Sequence, residues 1–290
     1  MAGFFGLFDY TRPGPGVDKN APKKKPFFLF FELVGRKFGR LIFLNLLYFI
    51  AILPLLTGVY LMLYKYVFSL LPQLGAESGE IMAAPLLPSI LFALTYAIPV
   101  WLRYALLALS AVLYGPVTCG QVFMLRNFAL QRHVWNSDFF DTIKKNFKQG
   151  LILGLLDIIL FSIFFVYLTI PTEGSTLLTV IKYLSVPMAT IYLFMRNYTF
   201  IMAVTLDLKI VPLIKNAWIF AWLGMWRNFL VLIVNAVLLL ATIIINQTVE
   251  LVLMPLFLFS FMGFLSVFTC FPVLQKHIIN RLDSDEQDTP

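Results

Sequence analysis

The chain has 290 residues, of which 60% are apolar, 16% aromatic and 13% charged, and its net charge is +7. Soluble domains carry about 25% charged and roughly 45–50% apolar residues, and a water-soluble fold of this size would lack the polar surface to cover such an apolar excess. The composition excludes a soluble enzyme, a disordered chain and a disulfide scaffold. It predicts an all-α polytopic membrane helix bundle. Cys119 and Cys270 both lie inside apolar runs and form neither a metal-ligand spacing nor a disulfide framework, so they read as small packing residues.

Residues 1–26 form a polar N-terminal segment rich in Pro and Gly. It has no apolar h-region, so no cleavable signal peptide is expected and the first span serves as an uncleaved insertion signal. A crossing needs about 20 mostly apolar residues. Six stretches qualify, near 41–63, 104–125, 151–170, 177–194, 229–245 and 251–274, in one transmembrane domain over 27–282 that ends in an acidic tail at 283–290. An insert at 64–103 separates the first two. Its part 82–102 is apolar but holds Pro85, Pro88 and Pro99, and reads as a helix packed on the outer surface or dipping into the membrane and returning, with a seventh crossing as the alternative.

With six crossings, 19 of the 22 basic residues fall on one side, leaving Lys65, Arg103 and Lys182 on the other. The positive-inside rule makes the rich side cytoplasmic, with both termini inside. The basic balance therefore points to anionic lipid headgroups and not to nucleic acid. A multi-pass protein of the cell membrane is expected.

Three segments on the basic side resemble one another: Phe27–Arg40 (FFLFFELVGRKFGR), Phe139–Gln149 (FFDTIKKNFKQ) and Val211–Phe229 (VPLIKNAWIFAWLGMWRNF). Each mixes aromatics with Lys or Arg before an outgoing span, as an in-plane amphipathic helix requires; an ordinary aromatic belt with positive-inside charge gives the same mixture. The returning spans also correspond. Pro116, Pro187 and Pro272 precede Arg126, Arg196 and Arg281 by ten, nine and nine residues, and the arginines are expected to snorkel to the headgroups. Three units of in-plane helix, outward span and inward span follow from this pattern.

Asp157 is the only acid well inside a span, about 10 Å past the span's start at 1.5 Å per residue. An intramembrane carboxylate is either a functional site or a hydrogen-bonded helix tie. Asn45 and Asn235 occupy broadly similar depths in spans one and five, and under threefold symmetry the three polar residues would meet at the bundle centre. His133, near Trp135 and Asp138, and His277 in the basic tail read as solvated. No HExxH, GxSxG, Walker A or paired-cysteine pattern is present, so no enzyme, cofactor or metal is expected. Phe4, Phe5, Phe8 and Tyr10 place four aromatics in seven residues, the kind of anchor that docks on a partner or on lipid. Arg12 would set the charge register of that contact.

The run GLFDYTRPGPGVDKN (Gly6–Asn20) resembles the opening of the YesL-like bacterial integral membrane proteins. So do GPVTCGQVFMLRNF (Gly115–Phe128), WNSDFF (Trp135–Phe140) and NFKQG (Asn146–Gly150). The resemblance covers the first 157 residues by motif and the rest by hydropathy. It implies a domain of unknown function whose members often lie beside genes for carbohydrate ABC importers, and hence a role linked to oligosaccharide uptake in a Gram-positive bacterium. It supplies no catalytic residues. The EAA…G loop of importer permeases is not seen, so the resemblance implies a non-enzymatic accessory subunit that binds a carbohydrate ABC importer permease. The alternative is a small solute channel or carrier with Asp157 lining the path.

Overall fold

The computed structural model describes residues 24–70, 93, 97–170, 172, 174–245 and 252–279. The N-terminal Phe4, Phe5, Phe8, Tyr10 and Arg12, residues 82–92 and 94–96 of the 82–102 stretch, Arg281 and the acidic tail lie outside the described residues.

Among the described residues the chain is helical and has no strand. Eight α-helices follow in order: α1 Pro26–Leu70, α2 Val100–Ala129, α3 Asn136–Lys145, α4 Phe147–Thr169, α5 Thr176–Ala203, α6 Ile210–Leu223, α7 Met225–Ile245 and α8 Phe259–Leu274. π-helical turns at Met254–Leu258 and Gln275–Ile279 flank α8. The helices α1, α2, α4, α5 and the α8 unit are each long and apolar enough to cross a membrane. α6 and α7 are long and apolar enough only as a pair, across an 87° bend between them, which makes five spans, or six if that bent pair is one. The result is an all-α polytopic bundle, and each of the six expected spans falls on one of these helices.

Two of the three expected in-plane helices are separate elements. α3 ends at Lys145, and Asn146 (φ −101°, ψ 15°) parts it from α4. α6 ends at Gly224 (φ −97°, ψ 15°), where the chain turns through the right angle into α7. Asn228 fastens this elbow from the far side by donating to the Ala221 carbonyl at 2.9 Å. Only a glycine fits at the corner, because a Cβ there would lie 2.0 Å from the Tyr198 hydroxyl.

The first expected in-plane helix is not separate. Phe27–Arg40 runs without a break into the first span, so that α1 has 45 residues and is about 68 Å long. Gly35 and Gly39 weaken a helix without ending it. The segment is also held by packing: Phe30 meets Phe261, Phe264 and Phe268 of α8, and Leu33 is fully buried. α2 likewise begins at Val100, so Arg103 belongs to its first turn and not to a loop.

Two of the proline breaks, at Pro54 and Pro255, are serviced by neighbouring side chains. A proline removes one backbone donor and opens the ladder around it. Beside Pro54 in α1, Ser110 of α2 donates to the Ala51 carbonyl (3.2 Å) and accepts from the Leu55 amide (3.3 Å). Where the π-turn containing Pro255 passes into α8, fully buried Asn45 donates to the Met254 and Pro255 carbonyls (2.9 and 2.6 Å) and accepts from the Ser260 amide (2.7 Å). The core lies toward one end of the bundle, where Leu125 and Phe128 of α2, Tyr198 to Met202 of α5 and Phe264 to Leu274 of α8 come together.

Candidate functional site

The site begins with a backbone contact. Gly150 and Gly154 of α4 are four residues apart and face Gly115 and Pro116 of α2. A Cβ on Gly115 would lie 1.9 Å from the Gly150 carbonyl oxygen, and one on Gly154 would lie 2.6 Å from the Gly115 Cα. Small residues at this spacing let two membrane helices touch backbone to backbone. One turn past Gly154, the same face of α4 carries Asp157. One residue before Gly115, α2 carries Tyr114.

Asp157, 2% exposed, is taken up by side chains from two helices. Arg196 of α5 donates through Nε to Oδ2 at 2.6 Å. Tyr114 donates to Oδ2 at 3.2 Å, and Tyr192 of α5 donates to Oδ1. Arg196 Nη2 donates in turn to the Tyr114 oxygen at 2.8 Å, and its guanidinium lies 5.2 Å from the Phe200 ring centroid. Tyr192 and Arg196 are four residues apart and so share one face of α5. The cluster reaches α1 through hydroxyls. Thr118 gives its one proton to the Tyr114 carbonyl at 2.7 Å, which leaves Tyr48 to donate to Thr118 across 3.3 Å. Tyr48 also lies within electrostatic reach of Arg196 and Asp157. Four helices thus converge on one carboxylate.

The other two intramembrane polar residues do not join it. Asn45 serves the Pro255 break, as described above. Asn235 of α7 donates to Ser266 of α8 at 3.3 Å. Each residue of the expected trio ties a different helix pair, so the three do not meet at a shared centre.

Two of the three arginines that the sequence sends outward to headgroups, Arg126 and Arg196, turn inward. Arg196 pairs with Asp157. Arg126 is 9% exposed and donates to the Val204 carbonyl (2.8 Å) and to Thr205 (2.9 Å) just past the end of α5. There it satisfies a carbonyl that the finished helix leaves open. The reason is proximity: in both cases an acceptor of the protein lies within reach of the guanidinium, so the side chain has no need to extend to the membrane surface. Gln149 of α4 binds the Leu208 carbonyl of the same connection (2.8 Å), which fixes the approach to α6.

The histidines remain peripheral. His133 is exposed and packs edge-on against Trp135 with centroids 4.7 Å apart; His277 is bonded to the Val273 carbonyl at 2.9 Å. Asp138 accepts from the Trp135 amide and opens α3. Both cysteines are fully buried, and among the described residues no group of three His, Cys, Asp or Glu could hold a metal.

Sequence reading finds Asp157 but not its partners. The signal available for them is the Tyr192–Arg196 pair at helical spacing in the span that follows the lone acid. No family model, no curated protein and no solved structure matches this chain.

Proposed function

We propose that the chain is a non-enzymatic accessory subunit of a carbohydrate ABC import system, and that it binds the importer's permease within the cell membrane. The observation that carries this reading is the state of Asp157. A carboxylate offers about four lone-pair sites, and here three are taken by Tyr114, Tyr192 and Arg196. A carrier or channel that used Asp157 as its solute contact would need those sites free. A carboxylate held this way ties helices together, and a rigid bundle is what a docking subunit requires. The reading is further supported by exposed aromatics where the chain enters α1. Phe27 contacts both Phe28 and Phe31 edge-on, and all three keep more than half their surface open.

The resemblance to the YesL-like proteins supplies the class of partner. The charge distribution supplies the orientation, with both termini cytoplasmic, and the same resemblance supplies a Gram-positive source. Affinity purification from native membranes tests the whole. The expected outcome is co-purification of an importer permease. A chain that purifies alone and moves oligosaccharide into liposomes overturns the proposal in favour of the carrier.

A further inference from the structure

The elbow between α6 and α7 encloses a groove of about 350 Å³ against α5, within the size range of small-molecule sites. Val186, Pro187, Thr190 and Phe194 of α5 form one wall, and Trp222 and Phe229 stand opposite. The lining offers almost nothing to a polar ligand, because the Thr190 hydroxyl is already spent on the Val186 carbonyl at 3.0 Å. Water and a polar solute are therefore poor occupants.

The helix leading into the groove carries an ordered stripe. Lys215, Trp218 and Trp222 stand at positions i, i+3 and i+7 of α6, which is one helix face. Lys215 is exposed, and Trp218 and Trp222 are half-exposed and in edge contact with centroids 5.9 Å apart. Among the described residues no carboxylate pairs with Lys215. α6 lies at 87° to α7 across the mouth of the groove, so the cation, the indoles and the groove entrance sit side by side over about 10 Å. Indoles favour the boundary between headgroups and acyl chains. An anionic phospholipid with an acyl chain in the groove brings its ester region and phosphate to that mouth.

We propose that this groove binds one acyl chain of an anionic phospholipid from the leaflet beside α6, with the Trp218–Trp222 ridge at the ester level and Lys215 facing the phosphate. The site is independent of the accessory role.

The test uses the full chain in nanodiscs containing phosphatidylglycerol or phosphatidylcholine with a diazirine at the acyl terminus, followed by peptide mapping. Labelling is expected to concentrate on the peptides holding Phe194, Trp222 and Phe229. Thr190→Phe, which fills the groove, should lower it several-fold. Lys215→Gln, an exposed change that leaves the groove intact, should reduce the preference for phosphatidylglycerol about fivefold, the effect of one basic residue at an anionic surface, without altering phosphatidylcholine labelling. Labelling spread evenly over all spans, or unmoved by Thr190→Phe, overturns the proposal. So does groove labelling with no headgroup preference. Cross-links from groove residues to a second copy of the chain would assign the groove to self-association instead.

Discussion

Removing the Asp157 carboxylate leaves the Arg196 guanidinium without its counter-charge, with the Tyr114 and Tyr48 hydroxyls as its nearby polar groups. Breaking a buried pair from one side costs about 3–5 kcal/mol, whereas replacing both partners with well-packed apolar residues is often neutral. Asp157→Asn and Arg196→Met should therefore each destabilise the chain by about 3 kcal/mol, and Asp157→Leu with Arg196→Met should recover most of the loss. Thermal unfolding of the detergent-solubilised protein reads this directly; a double variant as weak as the two singles combined would mean that the residues are not coupled. Asn45→Leu tests a different tie. It leaves the Met254 and Pro255 carbonyls and the Ser260 amide without their side-chain partner, at about 1–3 kcal/mol for each buried group left unmet. The same unfolding assay checks it. Asp157 stands out in the sequence because a lone acid in an apolar run is rare. Its partners do not, because an arginine near the end of a span looks the same whether it reaches outward to headgroups or inward to a carboxylate 39 residues earlier.

Two glycines in neighbouring helices carry opposite expectations. At Gly115 an added methyl meets the Gly150 carbonyl at 1.9 Å, so Gly115→Ala must push α2 from α4 and separate Tyr114 from Asp157. It should cost about 1–3 kcal/mol, the usual penalty of overpacking. At Gly35 nothing lies within 4 Å of the added methyl, and Gly35→Ala should stabilise α1 by about 0.5–1 kcal/mol. Comparing the two unfolding midpoints checks both. Helix existence and span positions were legible because long apolar runs bounded by charges and prolines have few alternatives. Element boundaries near α1 were not. Phe27–Arg40 has the same composition as the segments that form α3 and α6, but no residue like Asn146 or Gly224 leaves the helix at its end, and that difference outweighs composition. The Gly150–Gly154 contact was not legible in the sequence, because two glycines four apart carry no contact until α2 is placed against them.

Fully buried Cys119 and Cys270 make topology straightforward to test on the intact protein, since neither thiol is open to a polar maleimide. Lys25→Cys should label only from the cytoplasmic side and Gly174→Cys only from outside. Labelling of both from one side would remove the six-crossing arrangement. Deleting residues 2–20 should leave membrane insertion intact, because the spans and most of the flanking basic residues survive, and should abolish co-purification of the permease. Retention of the permease at the wild-type level would move the docking surface to the exposed aromatics of α1 or α3. At this scale the six stretches read from the sequence all fall on helices, five of them able to span alone and the sixth only as part of the bent α6–α7 pair, and the expected symmetry is broken. The second and third units each have a short helix before the outgoing span, while the first has merged the two into one rod.

The pairing of Asp157 with Arg196 also bears on how the chain is made. A single charge near the middle of a helix costs about 2.5–3.5 kcal/mol when the translocon releases it to lipid. α4 emerges from the ribosome carrying its carboxylate before α5 has delivered the guanidinium. The two helices are consecutive and joined by a short turn, so the penalty vanishes if they leave the translocon together as a hairpin. A nascent chain truncated before Tyr192 should hold α4 poorly in the bilayer, and one extended past Asn197 should hold it well. Glycosylation tags placed in the α4–α5 turn would report the difference.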